Sequence, residues 1–100
     1  MTTLNINAFK IVFPDGRENF ELTICDNGSG LSCDSIRWLA IHIKDEVKSF
    51  LCNNQPGRAT IDLFPYHDID CPNGLVPRRC LPLNEAEANE FWEHFNKLAL

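Results

Sequence analysis

The segment from Ile36 to Leu51 repeats apolar side chains at helical spacing, and this constrains the fold more than any other feature of the chain. At about 100° per residue, Ile36, Leu39, Ala40, Ile43, Val47, Phe50 and Leu51 fall in one arc about 120° wide. Ser32 or Asp34 can cap its start, and Asn53-Asn54-Gln55-Pro56-Gly57 stops it near Cys52. A helix with a single apolar stripe must bury that stripe against a second layer.

Flanking segments supply the layer. Residues Leu4 to Phe13 read as a strand, with Phe9, Ile11 and Phe13 on one face and Ala8, Lys10 and Val12 on the other. Phe13-Pro14-Asp15-Gly16-Arg17 is a turn, because proline presets one backbone angle and glycine accepts a positive one. Phe20, Leu22 and Ile24 then alternate with Glu21, Thr23 and Cys25, completing a hairpin. Asp26-Asn27-Gly28-Ser29-Gly30 is a loop before the helix. After the helix, Ala59 to Phe64 is a third strand, with Ile61 and Leu63 inward and Thr60 and Asp62 outward. Pro65 to Pro82 holds four of the six prolines and reads as a long loop, with Leu75-Val76 a brief edge strand. Asn84 caps a last helix, Glu87 completes a capping box, and Phe91, Trp92, Phe95, Leu98 and Ala99 form its apolar face.

The expected fold is therefore one α+β domain over residues 1–100, ordered ββαβ, loop, α. Its sheet is expected to be three-stranded and antiparallel with strand order 2-1-3, and both helices to cover one face. A chain of this length forms a core but leaves little room for a deep catalytic cleft.

Nine basic and fourteen acidic residues give a net charge of −5. Phosphates are bound by clustered lysine and arginine, so direct nucleic-acid binding is not expected. A basic protein surface suits this charge better. The acids gather in two places. Glu85, Glu87, Glu90 and Glu93 line the last helix opposite its aromatic face, where side chains three residues apart rise about 4.5 Å. Two readings fit them: a row imitating DNA phosphates, or a solvated face placed to suit the helix dipole. Glu21 and Asp62 on the outer face of the sheet, with Asp68 and Asp70 beyond it, form the second group. In the expected strand order Lys10 lies between Glu21 and Asp62 and neutralises them.

Trp38 sits almost opposite the core arc of the long helix, beside His42 and Asp45. It is either an exposed binding anchor or covered by the proline-rich loop. Arg37, Lys44 and Lys48 form a basic stripe, for which an internal match with the acidic last helix is the simpler reading. Arg78-Arg79 could meet a carboxylate or phosphate. No amino-terminal basic stretch precedes an apolar run, and no apolar segment reaches membrane-spanning length, so a cytoplasmic protein that makes no membrane contact is expected. Cys25, Cys33, Cys52, Cys71 and Cys80 are then reduced thiols. His67, Cys71 and Cys80, with Asp68 or Asp70, lack a paired-cysteine motif, and no metal is expected. Neither Cys71 with His67 nor Cys71 with His94 sits on a nucleophile turn, and no phosphate-cradling glycine loop is present. No enzyme activity or cofactor is expected.

The compact opening MTTLNINAFKIVFPDGRENFELTIC, the ββαβα layout and the acids on Glu21, Asp62, Glu85, Glu87, Glu90 and Glu93 together resemble the small anti-CRISPR proteins of phages and mobile elements. Specifically, they resemble the DNA mimics that act on the type I-F surveillance complex. The resemblance extends over the full length in size and layout and rests on no shared motif. It implies a cofactor-free monomer in the host cytoplasm that blocks target-DNA binding by a Cas complex. The alternative is a small immunity or accessory protein that neutralises a basic partner.

Overall fold

The computed structural model describes residues 2–24, 30–63 and 79–98. Strands β1 (Thr2–Val12) and β2 (Glu18–Ile24) form a hairpin, and β3 (Gly30–Cys33) adds to β2. Helix α1 (Ile36–Asn53) crosses to β4 (Gly57–Asp62), and β5 (Arg79–Leu81) leads to helix α2 (Glu85–Lys97). The α+β class and the two helices are as expected. The sheet is not.

It is a mixed five-stranded sheet with the path β3-β2-β1-β4, and β5 also pairs with β1. The strand at 57–62 does neighbour β1 on the side away from β2, but it runs parallel to β1, not antiparallel. The reason is parity. Because β3 is antiparallel to β2, it runs with β1. Helix α1 then carries the chain back, and β4 again runs with β1. Parallel neighbours require such a crossover. The short β3, read from sequence as the end of a loop and the start of the helix, reverses the direction of everything after it.

Strand β5 follows from backbone accounting. β4 covers β1 only from Thr2 to Asn7, and β5 pairs with its far end, Lys10 to Val12. Buried backbone donors and acceptors require such partners. The expected edge strand Leu75-Val76 lies outside the described residues.

The hairpin register also sets the core face. Gly16 N–H donates to Phe13 O at 2.9 Å, Phe13 N–H to Arg17 O at 2.9 Å, and Gly16 has φ +88°. That left-handed glycine makes a five-residue connection that sets Lys10 opposite Phe20, Ala8 opposite Leu22 and Ile6 opposite Ile24. Ile6, Ala8, Phe20 and Leu22 therefore meet the helices in one cluster with Leu39, Ala40, Ile43 and Phe91. Phe9 and Ile11 are buried on the opposite face, not under the helices.

Helix α1 is capped by neither expected residue: Ser35 accepts from Trp38 N–H at 3.2 Å. Its stripe is buried from Ile36 to Val47, while Phe50 and Leu51 are half-buried. α2 has the expected capping box, with Glu87 N–H donating to Asn84 Oδ1 at 2.8 Å and Asn84 N–H to Glu87 Oε1 at 3.0 Å. It packs on α1, with Phe91 fully buried and Phe95 partly so. Trp92, expected on the buried face, is 36% exposed.

Candidate functional site

The acidic row on α2 is largely engaged within the chain. Glu87, whose side chain is 16% exposed, accepts from Lys10 Nζ at 3.3 Å as well as from the cap. Glu93 accepts from Lys97 Nζ at 3.1 Å, one turn on. Glu90 Oε2 lies 3.9 Å from His94 Nε2. Glu85, in the first turn, sits where the helix dipole favours a negative charge. Glu85, Glu90 and Glu93 remain open to solvent, so a partner can reach three of the four acids.

The acids of the sheet are arranged differently from the expectation. Glu21 stands opposite Phe9, and Asp62 opposite Asn7. Ser32 Oγ donates to Glu21 Oε2 at 3.3 Å. Lys10 is not between them. Its side chain, 13% exposed, is on the helix face, where it bridges Glu18 at 3.7 Å and Glu87 at 3.3 Å. Asp68 and Asp70 lie outside the described residues, as do His67, Cys71 and Arg78.

The basic stripe of α1 does not pair with the acids of α2 either. Lys44 Nζ sits 4.0 Å from the centre of the Phe95 ring, a cation–π contact. Arg37 and Lys48 are exposed.

Trp38 is exposed at 52% and lines an open cleft of about 440 Å³ with Asn19, Ser32, Cys33, Asp34 and His42. Its ring centre is 6.1 Å from that of His42. One turn separates Trp38 from His42 and a second brings Asp45 to the same side of the helix, also exposed. Leu31 on β3 is 41% exposed at the same edge of the sheet. Sequence reasoning found Trp38 and missed Leu31 and Ser32, which lie in a four-residue strand too short to show an alternation, and Asp34, just past its end. Burial pushes the Cys33 thiol above its ordinary pKa, with the charges of Asp34 and Glu21 adding to the effect. A thiol so held is protonated and is a poor nucleophile.

A second opening of about 360 Å³ lies at the other edge of the sheet, between Lys44, Leu51, Ala59, Ile61, Trp92 and Phe95. It is mainly apolar. Among the described residues, no three His, Cys, Asp or Glu side chains gather as a metal site. No described helix is long and apolar enough to cross a membrane. Compared with protein families, with curated proteins and with solved structures, the chain finds no match.

Proposed function

We propose that the chain is a non-catalytic, protein-binding inhibitor that occupies a basic, nucleic-acid-binding surface, as the anti-CRISPR proteins it resembles do on a Cas complex. The observation that carries this reading is the surround of Trp38. A large aromatic side chain stands half-exposed over an open cleft, with Asp34 in its wall and Asp45 further along the same helix face. Aromatic anchors of this kind dominate protein interfaces, and acids around them steer the approach of a basic partner. Glu85, Glu90 and Glu93 extend the negative surface on α2.

The internal pairing of Glu87 and Glu93 favours a second reading, an immunity or accessory protein that neutralises a basic partner through the Trp38 end without imitating DNA. One experiment separates the two. Target-DNA binding by a type I-F complex is measured with the parent protein, with Trp38→Ala, and with Glu85, Glu90 and Glu93 together reversed to Lys. Mimicry predicts that the triple reversal slows association and abolishes inhibition, and that added salt weakens the parent. Trp38→Ala should weaken binding about thirtyfold, as loss of an anchor does. If the triple reversal inhibits as well as the parent while Trp38→Ala fails, mimicry falls and the second reading stands. If neither change matters, the acids are a solvated face only.

A further inference from the structure

The two edges of the sheet are unlike each other. β3 is four residues long, which is one way an edge avoids recruiting another strand. β4 has six residues, and among the described residues it pairs with β1 alone. We propose that the outer edge of β4 is the contact of an isologous homodimer, in which β4 pairs antiparallel with β4 of a second copy about a two-fold axis at Thr60.

The sequence Gly57-Arg58-Ala59-Thr60-Ile61-Asp62 selects this occupant and this register. Only alternate residues of a strand offer their N–H and C=O to a given edge. Two identical strands can therefore pair antiparallel only if the numbers of facing residues add to an even sum. With Thr60 facing Thr60, Arg58 faces Asp62 twice, and Ala59 faces Ile61 twice. Charges on an edge strand normally repel a second strand. Here they are opposite in sign and equally distant from Thr60, so in this register they attract. A shift of two residues in either direction breaks both charge pairs.

The side chains lie where the pairing needs them. Ala59 and Ile61 share the helix side with the apolar groove under Trp92 and Phe95, and all four are at least partly accessible. Arg58 and Asp62 are exposed on the opposite face. The Thr60 hydroxyl is held inward by Leu4 O and Asn5 Oδ1. A two-fold axis perpendicular to the sheet keeps the helices of both copies on one side and brings the two grooves together. It also places the Trp38 ends, beyond β3, at the outer extremes of the pair. This replaces the monomer expected from sequence and does not rest on the proposed partner.

Sedimentation equilibrium across micromolar concentrations tests it. The parent should sediment as a dimer. Arg58→Asp and Asp62→Arg should each raise the dimer Kd at least about tenfold, by turning two attractions into two repulsions. The double variant R58D/D62R should restore the parent Kd, because it rebuilds both pairs with signs exchanged. In the unaltered protein, the outward amides of Gly57–Asp62 should exchange hydrogen more slowly as concentration rises through the Kd, a readout independent of how the variants fold. A monomeric parent, an open polymer, a dimer indifferent to the single reversals, or amides of β4 whose exchange ignores concentration would each overturn the proposal.

Discussion

Helix α1 buries Ile36, Leu39, Ala40, Ile43 and Val47, whereas α2 buries Phe91 alone. α1 has no acid in its first turn and no base in its last, while α2 has Glu85 and Glu87 at its start and His94 and Lys97 at its end. The first helix is positioned by the sheet beneath it. The second is defined at its start by its own cap and dipole, then pinned to the body by buried Phe91, by partly buried Ala88 and Phe95, and by the Lys10–Glu87 bridge. The difference teaches how to weigh surface charge: acids that organise a helix are partly committed before any partner arrives.

This contrast can be broken or sharpened by substitution. Phe91→Ala should have the largest effect, about 3–5 kcal/mol by chemical denaturation, since Phe91 is fully buried in the shared core. A loss under about 1 kcal/mol would mean that α2 is not docked through this ring. Next comes Asn84→Ala, which removes the acceptor for Glu87 N–H and should cost about 0.5–2 kcal/mol. If the local cap defines the start of α2, this variant should also speed amide exchange in the first turn while leaving α1 protected. Smallest is Lys97→Ala. Its pair with Glu93 is exposed at both ends, so about 0.3–0.5 kcal/mol is expected, and less in high salt. A larger loss there would show that the acidic row is more structural than its exposure suggests.

Much of the fold was legible from residue types alone. The α1 stripe, the Asn84–Glu87 capping box and the Phe13–Arg17 turn each depend on neighbours within about one or two turns of chain, and local chemistry fixes them. Trp38 was legible as a candidate anchor because it departs from the apolar arc of its helix. Its exposure was not, because whether another segment covers a side chain is settled across the whole chain.

Three features were decided only in the tertiary structure. Strands β3 and β5, with four and three residues, are too short to display an alternation, and they exist because neighbouring strands leave backbone groups to be paired. The direction of β4 followed from β3, since one added strand inverts the sense of every later element. The face that β1 turns to the helices was undetermined by its own residues, because Phe9 and Ile11 on one side are as apolar as Ile6 and Ala8 on the other. The register of the hairpin broke that tie by setting Phe20 and Leu22 beside Lys10 and Ala8. It also drew Lys10 away from Glu21 and Asp62 and toward Glu87, so the charge pattern open to a partner was set by a turn whose residues carry none of those acids. Local chemistry writes the elements, but facing, direction and pairing depend on residues far apart in sequence, where a shift of a single position exchanges one face of a strand for the other.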